Sequence, residues 1–224
     1  TPEFAPILDT FSRVRPLIDR WLGGDASSEM AAALEEKSKT DRPRIMVYGV
    51  YNAGKSTLLN ALIGEDRAAM ADWPETAVVK GYDWHGYTLL DTPGIDAPIE
   101  HEKVTEESLN RSDVVLMVVS TGGVAAESAT WEALTDLVSR GRRVMVVLND
   151  KMGLEPGSTD YLTAISSAQA LMQEAAEKAG VKDIVEKVDI CIVNARRALK
   201  GRMENKPTLL KKSGLEELEK KLFA

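Results

Sequence analysis

The sequence predicts an α/β fold of three αβα layers, with a mostly parallel sheet, one antiparallel edge strand and a separate helical segment at the N-terminus. Three observations carry this. From residue 44 onward, short apolar runs of strand length alternate with amphipathic stretches of helix length. A glycine-rich turn stands between the first apolar run and the first of those helices. Two strand-like runs separated only by His85-Gly86 form a hairpin, so one strand must run against its neighbour.

The elements follow in order. Phe4, Ile7, Leu8, Phe11, Val14, Ile18 and Trp21 recur at helical spacing, which predicts a helix over 4–22. Pro16 predicts a kink or interruption in it, because proline lacks the N–H that the helix needs. Gly23-Gly24 ends it, and Asp25-Ala-Ser-Ser28 leads into a second helix reaching about residue 39. The predicted division is a helical segment over 1–42 and an α/β domain over 43–224. In that domain, 45–49 is a short strand, 55–63 a helix, and 77–84 with 87–91 the hairpin. The continuous apolar run at 114–119 reads as a parallel strand buried on both faces, as do 144–148 and 188–193. Helical patterns lie near 126–139, 159–179 and 214–222.

Composition excludes some functions. Of 224 residues, 44% are hydrophobic and 28% charged, which suits a globular domain with a sizeable core. A net charge of -7 argues against a chain that coats nucleic acid, so no direct nucleic-acid binding is expected. One cysteine, Cys191, permits no internal disulfide, and two histidines, His85 and His101, give no zinc spacing. Both fit a reducing, cytoplasmic compartment. No apolar run reaches membrane-spanning length and no signal-peptide pattern opens the chain. The start at Thr1 and the uncapped helical end predict a fragment of a longer protein; a processed or tagged start is the alternative.

The chemistry begins at Gly49-Val-Tyr-Asn-Ala-Gly54-Lys55-Ser56, which fits G-x-x-x-x-G-K-[ST] between a strand and a helix. Glycines let backbone N–H groups turn inward around phosphates, and the helix N-terminus adds partial positive charge. The motif sets the expected fold as that of a P-loop nucleoside triphosphatase. Gly49, Tyr51, Asn52, Ala53 and Gly54 are the expected cradle, with Lys55, Ser56 and Thr57 beside it. Lys55 is placed to reach the β- and γ-phosphates, and the Ser56 hydroxyl to ligate Mg²⁺. Asp91-Thr-Pro-Gly94 ends a later strand: Asp91 can hold Mg²⁺ through water, and the Gly94 N–H can meet a γ-phosphate. In Trp73-Pro-Glu-Thr76-Ala-Val-Val79, Thr76 can put its hydroxyl on Mg²⁺ and its N–H on the γ-phosphate. A plain turn at 91–94 and a threonine opening a strand are the alternatives. Ser56, Thr76 and Asp91 are the expected metal ligands; Lys55, Thr76 and Gly94 are expected to act on the γ-phosphate.

Tyr51-Asn-Ala-Gly-Lys-Ser-Thr-Leu-Leu-Asn-Ala-Leu62, Pro74-Glu-Thr76-Ala and Asp91-Thr-Pro-Gly94 resemble the translation-factor-related GTPases, and within them the bacterial dynamin-like and related large GTPases. The resemblance covers about 43–224. It implies Mg²⁺-dependent binding and hydrolysis of GTP, GTP and GDP as ligands, and a nucleotide-dependent homodimer. In the dynamin-like branch a helical segment precedes the GTPase domain and pairs with helices after it. The 4–22 stripe fits that role, and a helix packed on its own domain is the alternative. Peripheral association with a membrane or a ribosome would reside in regions outside this sequence.

Two departures bear on mechanism. Ile95 stands where Ras-like proteins carry the glutamine that positions the attacking water, so orientation must come from a partner, a backbone group or a cation. Arg67 is the available candidate for an arginine finger near the first switch. Asn52 occupies the P-loop position where cation-dependent relatives use an asparagine to help bind K⁺, a cation that can stand in for such a finger. An asparagine chosen for loop geometry is the alternative. The guanine-reading motif N/T-K-x-D is expected after the strand ending at Leu148, and the sequence there is Asn149-Asp150-Lys151-Met152. Asn149 matches; Met152 stands at the place of the aspartate, and Asp150 substitutes for it if the loop is shifted. Asn194-Ala195-Arg196 resembles the S-A-K loop that backs the base through a backbone N–H.

Three functions remain distinct on these residues: a GTP-hydrolysing switch or mechanochemical protein, a slow nucleotide-gated binding module, and an ATPase sharing only the phosphate loop. Cys191 and Trp131 read as core residues and His85 as a hairpin-turn residue.

Overall fold

The computed structural model describes residues 5–39, 42–50, 52–66, 80–91, 108–109, 112–121 and 128–223. It divides into two compact units, with the break between Pro43 and Arg44.

The first unit is a pair of helices packed on each other, α1 (Ala5–Leu22) and α2 (Gly24–Lys39). Gly23 joins them at φ 89°, a left-handed value that a glycine adopts without strain. The expected interruption at Pro16 is absent: α1 runs through it without a break. A proline removes one backbone bond, and the turns on either side keep theirs, so a long helix packed along a partner can absorb the loss. Ile7, Leu17, Trp21, Leu22 and Met30 are exposed in this unit.

In the second unit the chain alternates as its apolar runs require. Its order is β1 (Arg44–Tyr48), α3 (Lys55–Ile63), β2 (Lys80–Trp84), β3 (Tyr87–Asp91), β4 (Val114–Ser120), α4 (Ser128–Ser139), β5 (Arg143–Asn149), α5 (Thr159–Ala179), α6 (Ile184–Lys187), β6 (Asp189–Val193), α7 (Ala195–Met203), α8 (Pro207–Lys211) and α9 (Leu215–Leu222). The six strands form one sheet in the order β2-β3-β1-β4-β5-β6, parallel throughout except for the β2–β3 pair. His85 (φ 46°) and Gly86 (φ 85°) both take left-handed angles, which a two-residue turn between twisted antiparallel strands needs.

Alternation along the strands feeds two cores, one on each face of the sheet. Val47, Val118, Val147, Cys191 and Val193 pack with Leu58 and Leu62 of α3 and Leu218 of α9. Val115, Met117 and Val146 pack with Trp131 and Leu134 of α4 and Met172 of α5. α5 is capped at both ends. The Ser158 hydroxyl accepts the Tyr161 N–H (3.2 Å) at its start, and Gly180 at φ 71° closes it.

The C-terminal segment is locked onto this sheet in two places. Phe223 stacks on Trp84 of the hairpin, with ring centroids 5.2 Å apart. Gly214 crosses the end of β6 so closely that a Cβ there would lie 2.1 Å from the Ile192 carbonyl oxygen, and the Asn194 N–H donates to the Ser213 carbonyl (2.8 Å). Among the described residues no helix is long and apolar enough to cross a membrane.

Candidate functional site

Parallel strands with helical crossovers leave a crevice at the carboxyl ends of the strands, where β1 reverses into α3. The loop between them is built on backbone that most side chains would disrupt. Gly49 (φ 149°) passes so near β4 that a Cβ would lie 2.3 Å from the Val118 carbonyl oxygen. Asn52 sits at φ 58°, a left-handed angle that asparagine tolerates better than most residues. Gly54 (φ 100°) precedes α3, and a Cβ on it would meet Asn149 Nδ2 at 2.0 Å.

Lys55 opens α3 with Ser56 and Thr57 in the same first turn. Its Nζ donates to the carbonyls of Gly49 (3.1 Å) and Val50 (2.9 Å), so the ammonium lies over the loop that the motif assigns to phosphates. Asp91 is buried at the last position of β3, in register with Val47 of β1. That places a carboxylate at the strand end next to the start of the loop. Burial, and after it the negative charge of Asp91, push the Tyr82 hydroxyl above its ordinary pKa. Ser56 and Asp91 offer hydroxyl and carboxylate oxygens, hard donors that fit Mg²⁺. Tyr51, Arg67, Thr76, Gly94 and Ile95 lie outside the described residues.

The base side of the site is organised by Asn149, a buried residue at the end of β5. Its Nδ2 donates to the Ala53 carbonyl (2.8 Å), and its Oδ1 accepts the Ala195 N–H (3.3 Å). One side-chain amide therefore joins the phosphate loop, the strand end and the start of α7. Lys151 adds a second tie, with Nζ donating to the Asn52 carbonyl (3.0 Å).

Asp150 faces inward, 3% exposed. Its Oδ1 accepts the N–H groups of Met152 and Gly153 (2.8 Å each), and its Oδ2 accepts those of Gly153 (3.0 Å) and Leu154 (2.8 Å). The carboxylate is committed to the turn that follows it. Met152 points to solvent, 77% exposed. Asn194 caps α7, its Oδ1 accepting the Arg197 N–H (2.8 Å), and Arg196 is exposed in the first turn.

Sequence reasoning passed over Arg197. Its Nη1 donates to the Lys212 carbonyl (3.0 Å), and its Nη2 lies 3.2 Å from where a Cβ on Gly153 would be. The only sequence signal was a pair of adjacent arginines after Asn194-Ala195, and nothing in the sequence says which of them turns toward the base loop.

Residues 44–150 match the family model described as 50S ribosome-binding GTPase. Curated relatives include a GTPase Der from Persephonella marina, 26% identical over 208 residues, covering 82% of this chain and 44% of that protein. A second GTPase Der, from Pseudomonas entomophila, is 32% identical over 153 residues, covering 61% of this chain and 30% of its own length. The chain thus spans less than half the length of these relatives. Among solved structures, one described as an oligomerised bacterial dynamin pair superposes with a TM-score of 0.65 at 21% identity, over 98% of this chain and 42% of the other. Toc33 from Arabidopsis thaliana follows at 0.52 and 19%, over 73% and 75%. At these identities the two structures speak for the fold.

Proposed function

We propose that this chain, which carries a P-loop GTPase domain, binds GTP with Mg²⁺ and hydrolyses its γ-phosphate bond. The observation that carries the reading is the Asn149 amide, which fixes the phosphate loop and the base loops as one site through Ala53 and Ala195.

In this reading Lys55 leaves the carbonyls of Gly49 and Val50 for the phosphates, and the amides opening α3 complete the cradle. Ser56, Thr76 and Asp91 hold Mg²⁺, which when bound neutralises charge on the phosphoryl oxygens. The Gly94 N–H meets the γ-phosphate. Ile95 cannot hydrogen-bond water, so closure of the site must supply what the side chain does not. We assign that to a nucleotide-dependent homodimer and to K⁺ held with help from Asn52, because a dry, closed site strengthens each charge contact. Residues 1–42 form a helical element apart from the GTPase domain. A cytoplasmic location with peripheral contact to a membrane or ribosome belongs to the same proposal. The second reading, a slow nucleotide-gated binding module, is favoured by Ile95 and by the departure from N/T-K-x-D at residues 149–152.

The test is binding and turnover of GTP by the whole chain across protein concentration, in K⁺ and in Na⁺. Lys55→Ala is expected to lose triphosphate binding; near-normal affinity and turnover in that variant would overturn the P-loop reading. A specific rate that rises with concentration and with K⁺ supports the homodimer and the cation. A flat, near-zero rate with intact binding would leave the slow module as the better account.

A further inference from the structure

Charge is spread unevenly along this chain. Of its 35 acidic residues a single one, Glu204, falls in 195–214, while seven of its 28 cations do. The net charge of -7, which argues against a chain that coats nucleic acid, is therefore an average over an acidic remainder and one basic stretch. Two of the seven cations are used inside the fold: Arg202 pairs with Glu219, and Arg197 donates to the Lys212 carbonyl (3.0 Å). The other five, Arg196, Lys200, Lys206, Lys211 and Lys212, are exposed.

These five stand on α7, on α8 and at their ends, and the two helices pack on each other. The Lys206 N–H donates to the Gly201 carbonyl (2.7 Å), and a Cβ on Gly201 would lie 2.8 Å from the Leu210 backbone nitrogen. The helices thus touch through a residue without a side chain. The Arg197–Lys212 bond brings the start of α7 beside the end of α8, so Arg196, Lys211 and Lys212 share that end. Lys200 and Lys206 share Glu204, at 4.0 and 2.6 Å. Among the described residues the side chains of Arg196, Lys211 and Lys212 have no ion pair; Glu216 and Glu217 line a crevice with both lysines and pair with neither. Like charges this close repel one another, and a polyanion laid over them relieves the repulsion.

We propose that α7 and α8 form a docking surface for the phosphate backbone of double-stranded RNA. Three features select that polyanion. The apolar side of the pair is turned inward: Ala198, Leu199 and Gly201 are buried, Leu210 packs on the sheet core, and Met203 is the one large apolar side chain left exposed in the stretch. A helix that binds a bilayer needs an apolar face to insert. No aromatic residue occurs from 195 to 214, so nothing there stacks on an unpaired base. Contact through Gly201 sets the two rows of cations about 8 Å apart, the close end of helix packing. Close rows suit the narrow major groove of an A-form duplex, where phosphates face each other, better than the major groove of B-DNA, about 12 Å wide. Recognition is by charge and shape, without regard to sequence. The surface lies outside the matched residues 44–150 and stands independently of the nucleotide reading.

The test is fluorescence anisotropy of a labelled RNA duplex of about 16 base pairs, titrated with the whole chain. Salt is varied between about 50 and 200 mM. Three to five phosphate contacts give a slope of log affinity against log salt of about -2.7 to -4.5, a loss of roughly 40- to 500-fold over that range. The double variant Lys211→Ala, Lys212→Ala removes two contacts and is expected to make the slope shallower by about 2, with GDP affinity unchanged. Glu204→Gln removes the one acid and is expected to tighten binding severalfold at low salt, with a slope steeper by about 1. Duplex DNA of the same length is expected to bind more weakly, as are single-stranded RNA and vesicles of phosphatidylglycerol. No binding of the RNA duplex at about 50 mM salt would overturn the proposal, and so would a slope that both variants leave unchanged. DNA or single-stranded RNA bound as tightly as the RNA duplex would overturn the choice of partner. Vesicles bound in its place, and lost in the double variant, would overturn it in favour of a membrane. The gain expected from Glu204→Gln keeps the test decisive even if the double variant fails to fold.

Discussion

Replacing Gly54 by alanine tests how far Asn149 holds the site together. The new Cβ would lie 2.0 Å from Asn149 Nδ2, on backbone at φ 100°. The left-handed backbone alone costs about 1–2 kcal/mol for a residue with a Cβ. The larger effect is indirect, because the methyl evicts the Asn149 amide. That leaves the buried Ala53 carbonyl and Ala195 N–H unpaired. Each unpaired group costs about 1–3 kcal/mol. Asn149→Ala removes the same two bonds directly and is expected to cost about 2–6 kcal/mol. Once Asn149 is alanine the clash has no target, so adding Gly54→Ala should cost only the backbone term. The two substitutions should therefore fall short of additivity by about 2 kcal/mol or more, measured by urea unfolding of both singles and the double. Additivity within about 0.5 kcal/mol would refute the claim that the amide is the joint between the phosphate and base loops.

Other consequences can be measured separately. Phe223→Ala removes the stack on Trp84 and the contact with Tyr87, and should cost about 1–2 kcal/mol, read as a lower Tm. Burial pushes the Cys191 thiol from 9.0 to about 11, so it should not react with a disulfide reagent at pH 8 until urea unfolds the chain. Between those two pH values the folded thiol keeps a proton that the unfolded one has lost, so its contribution to stability should fall as pH rises through that window. Asn52→Gly keeps the left-handed backbone and removes the side chain; stimulation of turnover by K⁺ should disappear while GDP affinity holds. If K⁺ stimulates that variant as it does the wild type, Asn52 is a loop residue and not a cation ligand.

The parts of the fold that the sequence disclosed are those with strong local signals. The apolar run at 114–119 became the interior of β4, and His85-Gly86 formed the turn that the two-residue spacing required. α5 spans Thr159–Ala179, the range its helical pattern predicted. α7 and α8 went unforeseen because they are short and polar, and they exist by packing on α3 and on each other rather than by periodicity. The helix through Pro16 shows the converse: a strong local breaker was overridden along a packed pair. At the site, the phosphate motif was legible because its geometry is local. The role of Asp150 was not, since four hydrogen bonds to residues 152–154 appear only once the turn is formed. Arg197 depends on a contact across 44 positions of chain, from Gly153, which spacing does not encode.

The close pass of Gly214 over the end of β6 has a consequence for the protein as a solute. β6 is an outer strand of the sheet, and an outer strand with free backbone groups is a template on which other chains can add. Just past its end the Ser213 carbonyl takes the Asn194 N–H, and the backbone of Gly214 lies close over the Ile192 carbonyl. A single methyl at position 214 would lift that cover. Its first symptom in a preparation would then be turbidity and light scattering that grow with concentration.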